Sequence, residues 1–252
     1  MFNWKDRFRA SGIHLGISLA IAALAGLLVF GIWYPYPYRE ISGGRELFLI
    51  LVTVDVLLGP LITFAIFSRA KPLAELRRDL TVVGMIQLAA LGYGMWTVFE
   101  ARPVHLVFEI YRFRVVHAVD VSDELLGKAP PGLATMPVTG PTLLSVRPFK
   151  DTKERLDATF ADMGGVPIGA RPDLWQPYDA ARTQVLESAK PLAELKARLP
   201  AQAGLVDAAV AKTGRKAEEL GYVPMVGRKT FWTVLVDRSN AQVLAFIPLD
   251  PF

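Results

Sequence analysis

The chain has 252 residues, a formal charge of +4, 52% apolar and 21% charged residues, and no cysteine. That length suits one large domain or two small ones, and the charged share is below the roughly one quarter usual for soluble proteins. The composition excludes intrinsic disorder, collagen-like repeats and a simple cytosolic enzyme, while the lack of cysteine excludes disulfides, thiolate nucleophiles, iron–sulfur clusters and cysteine-bound zinc without fixing the compartment.

The apolar excess is concentrated in residues 13–99. The first run, 13–33, is long enough for ~30 Å of helix, the thickness of a hydrocarbon core. Lys5, Arg7 and Arg9 followed by Ala23-Leu24-Ala25 also suit a cleaved signal peptide. The apolar stretch continues through Leu27-Leu28-Val29-Phe30, however, beyond the ~7–15 residues of a signal core, which favours an uncleaved helix. A second run covers 47–67 and contains Asp55; a third covers 80–99 and contains Gln87. Three basic residues precede the first run and four (Arg69, Lys71, Arg77, Arg78) lie between the second and third. Only Arg39 and Arg45 lie between the first and second. Basic flanks mark the cytoplasmic side, so the N-terminus is expected inside and the part after the third helix outside, in the periplasm of a bacterium. Trp33, Tyr34, Tyr36 and Tyr38 are then expected as an aromatic belt at the outer interface. Basic clusters beside apolar runs, without a basic face of interleaved aromatics, argue against nucleic acid as a partner.

Polar and small residues fall in stripes along these helices. Asp55, Gly59 and Thr63 recur at i, i+4 and i+8; His14, Ser18, Ala22 and Ala25 form a second stripe, and Gly84, Gln87, Ala90 and Gly94 a third. Polar groups in a membrane face protein, and small residues let helices approach, so the stripes predict a compact three-helix bundle or a face for a partner's helix. Pro60 is expected to kink the second helix. Asp55 and Gln87 both fall near the midplane. Two readings stay open: a buried hydrogen bond between them, or a docking point for a polar or cationic group on a partner helix. Too few titratable groups are present for a proton pathway.

Residues 102–252 read as a periplasmic α+β domain following the three-helix transmembrane domain 1–101. Residues 103–119 are expected as a hairpin turning at Tyr111-Arg112. Leu106, Phe108, Phe113 and Val115 then share one face, Glu109 lies opposite Arg114, and His105 and His117 are on opposite faces, unable to share a metal. A Pro/Gly-rich loop follows at 127–142. Helices are expected at 150–163 (Leu156, Phe160 and Met163 on one side), 175–189, 192–199, 201–212 and 215–220. Strands at 229–237 and 242–248 close the chain. The two hairpins are expected to form one antiparallel sheet with helices between them. Asp151, Glu154 and Asp157 read as a solvated acidic face. KPLAEL occurs at both 71–76 and 190–195, with no surrounding repeat. No nucleophile elbow, zinc-protease, P-loop or dinucleotide motif occurs. No catalytic, cofactor-binding or metal-ligating residue is therefore expected, and the chain reads as a non-enzyme that needs no cofactor.

Several segments carry a family resemblance: Gly12-Ile13-His14-Leu15, Trp33-Tyr34-Pro35, Val54-Asp55-Val56-Leu57-Leu58-Gly59-Pro60, Ala101-Arg102-Pro103-Val104, Arg112-Phe113-Arg114-Val115-Val116 and the ending Pro248-Leu249-Asp250-Pro251-Phe252. They resemble the TfpX/TfpZ-type (FimB-like) type IV pilin accessory proteins over nearly the whole chain, least at 125–220. The resemblance implies an inner-membrane, chaperone-like protein that assists assembly or surface display of a cognate type IV pilin. Its expected partners are the major pilin, the lipid bilayer and other pilus-assembly proteins. A pilin waits in the membrane as one apolar helix with a polar end. The residues expected to hold it, or to hold the bundle together, are Asp55, Gly59, Thr63, Gln87, His14 and Ser18. A membrane-anchored periplasmic sensor, scaffold or enzyme of another envelope system is the alternative.

Overall fold

A computed structural model describes residues 4–252, in two compact units. One comprises the chain to Pro35 together with Gly44–Ala101; the other comprises Tyr36–Gly43 and Arg102–Phe252. The segment 36–43, which the sequence places between two membrane helices, thus belongs structurally with the C-terminal part.

The first unit contains α1 (Trp4–Leu28), α2 (Gly44–Ile66) and α3 (Leu73–Glu100). A π-turn, Val29–Trp33, extends α1. All three helices are long and apolar enough to cross a membrane. Each begins several residues earlier than hydropathy alone indicates, because polar ends such as Trp4–Ala10 and Leu73–Asp79 remain helical beyond an apolar run. α2 is the central element and packs along both α1 and α3. Its C-terminal carbonyls at Phe64 and Ala65 accept hydrogen bonds from Arg7 (2.8 and 2.7 Å), a cation placed at the negative end of a helix. Arg69 pairs with Asp6 and Lys71 with Asp79 at the same end.

At the opposite end, the expected aromatic belt is corrected. Tyr34 is fully buried, donating its hydroxyl to the Val98 carbonyl at 2.9 Å. A Cβ at residue 44 would overlap its ring, so only glycine fits there. Trp33 packs edge-on against Phe99, and Tyr38 is buried in the second unit; of the four aromatics only Tyr36 is exposed. A belt needs rings directed outward, and here packing turns Tyr34 and Tyr38 inward and leaves Trp33 half-buried.

The second unit is built on β1 (Pro103–Glu109), β2 (Arg112–His117), β3 (Thr142–Val146), β4 (Trp175–Pro177), β5 (Lys190–Pro191), β6 (Leu220–Val226), β7 (Phe231–Asp237) and β8 (Val243–Ile247). Their order is β4-β3-β1-β2-β6-β7-β8, with β5 also on β6. Among the described residues, four helices of seven or more residues accompany them: α4 (Thr152–Met163), α5 (Arg182–Ser188), α6 (Leu192–Arg198) and α7 (Ala203–Thr213). Both terminal hairpins lie in one sheet, as expected, but they are joined through β6. The sheet is mixed, not antiparallel: β1 runs parallel to β3 and β2 parallel to β6. The loops and helices of the middle supply the long crossovers that parallel neighbours require.

The first hairpin turns at Ile110-Tyr111, one residue before the expected site. Glu109 therefore pairs with Arg112, and Phe108 with Phe113. Ile110 takes a φ of 58° to close the turn. Residues 175–189, expected as one helix, divide into β4, a 3-10 turn and α5, because Pro177 interrupts the helix. Residues 217–219 form only a 3-10 turn before β6 begins at Leu220. In both KPLAEL copies the proline precedes the first helical residue, Leu73 or Leu192.

Both faces of the sheet are covered. On one, Leu106, Phe108, Phe113, Val115, Val223, Met225 and Val234 pack with Tyr38, Ile41, Tyr178 and Val185. On the other, α6 and α7 cover Leu220, Tyr222, Leu235 and Ile247, while Trp175 and Ala170 cover Val104, Val107, Val116 and Leu144. The buried Glu109 carboxylate accepts from Arg112 (3.0 Å), Arg114 (2.8 Å) and the Gly169 amide (2.7 Å). A Cβ on Gly169 would lie 2.9 Å from that carboxylate, so glycine is required for the approach.

Candidate functional site

The polar stripes of the three membrane-type helices meet around a cavity of about 210 Å³. α1 contributes His14, Ile17, Ser18, Ile21 and Ala22; α2 contributes Val52 and Asp55; α3 contributes Gly84, Gln87, Leu88 and Leu91. α2 packs on both neighbours, whereas α1 and α3 hardly approach one another, so α2 forms the floor between two walls. Most of the lining is aliphatic, with a few convergent polar groups, the usual character of a recognition site.

The Asp55–Gly59–Thr63 stripe is shared between the two walls. At its lower end, Thr63 Oγ1 lies 2.5 Å from His14 Nδ1, tying α2 to α1. One turn away, Ser11 donates to the Pro60 carbonyl at 2.9 Å. In the middle, Gly59 gives Gln87 its seat: a Cβ there would overlap the side-chain amide, with Cδ at 2.8 Å and Oε1 at 3.0 Å. Because no side chain intervenes, Gln87 reaches the backbone of α2. Its Nε2 donates to the Asp55 carbonyl at 3.3 Å. The expected side-chain hydrogen bond between Asp55 and Gln87 is thus replaced by one to the main chain. The Asp55 carboxylate lines the cavity and accepts no hydrogen bond among the described residues.

Four of the six residues singled out from the sequence (His14, Ser18, Asp55 and Gln87) line the cavity, and Gly59 and Thr63 hold its walls. Gly84 also lines it, and a Cβ there would have nothing within 4 Å. Gly94 instead sits tightly against Leu51, and Ala90 is exposed. Sequence reading missed Ser11 and Arg7; their signal was a polar and a basic residue on the His14 side of α1, one and two turns away.

In the second unit the two strand histidines have separate surroundings. His105 Nδ1 lies 2.7 Å from Thr142 Oγ1 and its ring packs against Trp175. Burial lowers its pKa to about 4, so it is neutral near pH 7. His117 Nδ1 lies 3.1 Å from Asp120, whose carboxylate also meets Arg228 at 2.5 Å. Among the described residues no group of three or more His, Asp or Glu side chains is arranged to hold a metal. The expected acidic face is also redistributed. Asp151 caps α4 by accepting from the Glu154 amide (2.7 Å), and Glu154 forms a two-pronged pair with Arg147 at 2.7 and 2.9 Å.

A three-helix bundle of membrane-spanning type with a mostly aliphatic cavity that carries a few polar groups, joined to a mixed-sheet α+β unit, defines the class of protein. The family model described as "Fimbrial assembly protein FimB" matches residues 2–43. The fimbrial assembly protein of serogroup I from Dichelobacter nodosus is 36% identical over 254 residues, covering 98% of each chain. That of serogroup E1 from the same organism is 36% identical over 255 residues with the same coverage. The protein of serogroups C1 and C2 is 42% identical over 126 residues, 48% of this chain and 96% of its own length. No solved structure matches. The chain belongs to the FimB family of fimbrial assembly proteins.

Proposed function

We propose that this protein is a non-enzymatic accessory factor of type IV pilus assembly. It resides in the bacterial inner membrane with its N-terminus in the cytoplasm and the α+β unit in the periplasm. In this reading it holds the apolar helix of a cognate pilin between α1 and α3 until the subunit joins a pilus. The observation that carries the reading is the cavity floored by Val52 and Asp55, with a carboxylate that accepts no hydrogen bond among the described residues. A partner helix bearing a polar or cationic group supplies what that carboxylate lacks, and the aliphatic walls supply helix packing. The names of the relatives support the assembly role, and the basic flanks support the orientation.

Two sets of substitutions test it in cells, at matched protein levels. Gly84→Leu extends into the cavity from a position with open space, so the bundle folds while the site is filled. It is expected to lower both surface pili and co-purified pilin, with Gly84→Ala milder. Asp55→Leu is expected to be defective. Asp55→Asn separates the two roles, since it keeps a hydrogen-bonding group and removes the charge. If Gly84→Leu and Asp55→Leu both match wild type on pili and on co-purified pilin, the proposal is wrong.

A further inference from the structure

The segment Tyr36–Gly43 joins two helices of membrane-spanning type and belongs to the second unit. Tyr36 follows closely on Trp33, the end of the π-turn, and Gly43 is bonded directly to Gly44, the first residue of α2. Whatever packs on this segment therefore lies close to a membrane surface. The apolar run of α2 begins at Leu47. One Cα step and three helical rises put Gly43 at most ~8 Å above it, while the headgroup layer on each side of a bilayer is roughly 5–8 Å thick.

The tip of the β6–β7 hairpin packs on this segment. A Cβ on Gly227 would overlap the buried Ile41, and a Cβ on Gly43 would lie 3.0 Å from Lys229 Cε. Trp232 meets the Tyr36 ring edge-on with centroids 6.2 Å apart, and the Arg39 guanidinium lies 5.7 Å from the centre of that ring. Contacts inside the second unit thus hold the hairpin tip at the depth of the headgroups.

Three rings stay open around this tip. Tyr36, Phe231 and Phe252 are 56%, 45% and 54% exposed. Phe231 opens β7 beside the Trp232 on which Tyr36 packs, and its ring meets Phe252 edge-on at 5.2 Å. Scattered exposed apolar residues are ordinary, but aromatic rings gathered at headgroup depth have the character of membrane-interface residues. The neighbouring charges are already engaged: Arg228 with Asp120, Arg39 with Glu40, and Lys229 as well. The rings, and not an excess of one charge, are what this surface offers.

We infer that this end of the sheet is a membrane-interface surface. Its occupant is the headgroup and glycerol layer of the bilayer, into which Tyr36, Phe231 and Phe252 insert. The chain connection brings the tip to the membrane, and the rings keep it there. The inference needs only that α1 and α2 cross a membrane, and it does not depend on the pilin reading.

The test places the photo-reactive residue p-benzoylphenylalanine in place of Phe231, and separately of Phe252, in the full chain reconstituted in phosphatidylcholine vesicles. Both rings are half exposed, so the added benzoyl group is accommodated. Leu205, exposed on α7, is the control, because α7 packs at Leu220, ~20 Å along β6 from its Val226 end. Illumination is expected to give lipid adducts from 231 and 252 at a yield about ten-fold above that from 205. Replacing part of the lipid by anionic phosphatidylglycerol is expected to change these yields less than about two-fold, since rings and not charge carry the contact. In membranes of cells that make the pilin, the same two positions are expected to mark lipid and not pilin. A missing lipid adduct at 231 or 252, an adduct there only with pilin or a second copy of this chain, a yield at 205 equal to that at 231, or a yield that follows the anionic lipid overturns the inference. Vesicles contain no pilin, so a failed pilin reading leaves these yields unchanged, and their failure leaves pilin co-purification unchanged.

Discussion

Gly59→Ala probes the seat on which the three-helix site rests. The new methyl group would overlap the Gln87 amide, approaching Cδ at 2.8 Å and Oε1 at 3.0 Å. Gln87 must swing away and lose its bond to the Asp55 carbonyl, or α2 and α3 must separate. Loss of one such polar contact within a membrane bundle costs ~0.6–1.7 kcal/mol. Forcing an extra carbon into a packed interface costs ~1–3 kcal/mol, offset by a helix-propensity gain of up to ~1 kcal/mol for alanine over glycine. The net expectation is a destabilisation of about 1–2 kcal/mol. In a Gln87→Ala background the same methyl group meets no obstacle, and only the propensity gain of up to ~1 kcal/mol remains. The two substitutions should therefore couple by about 2 kcal/mol, well above the ~0.5 kcal/mol scatter of independent sites. Unfolding of the full chain in mixed detergent micelles, followed for wild type, both single variants and the double variant, measures this. Additive effects, or a Gly59→Ala variant as stable as wild type, would show that Gln87 does not occupy the space above Gly59.

Two further outcomes follow from other residues. Alkaline phosphatase fused after Phe252 should be active and a fusion after Arg77 inactive, since four basic residues flank the second loop; the opposite pattern inverts the proposed orientation. Glu154 has a folded pKa of about 2 against an ordinary 4.5, so its pair with Arg147 stabilises the fold above pH ~4.5 and loses that contribution as the pH falls toward 2. Acid unfolding of the full chain in detergent should be shallower across that window in Glu154→Gln, and identical slopes would refute the assignment.

Much of the first unit was legible without coordinates, because a membrane helix is written locally: an unbroken apolar run of sufficient length, with its few polar residues at helical spacing. The stripes of His14 and Ser18, of Asp55, Gly59 and Thr63, and of Gly84 and Gln87 all face the bundle interior. Strands of the second unit were harder to see. Pro224 argues against a central strand, yet β6 accommodates it: β5 is registered against Gly221 and Tyr222, β2 against Met225 and Val226, and Pro224 falls in the gap between them. β3 and β4 are too short to display a period of two, and they become strands only by pairing with residues far away in sequence.

The sequence alone thus determined the three apolar helices, their polar faces, the two terminal hairpins and the family. Tertiary structure decided everything that depends on which surfaces meet. It directed Gln87 to the Asp55 backbone, since that choice rests on the missing Cβ of Gly59 on another helix. It drew Tyr38 into the core of the second unit. It also left Leu156, Phe160 and Met163 uncovered, because periodicity reveals that a helix has an apolar face, while only the packing of its neighbours determines whether that face is buried.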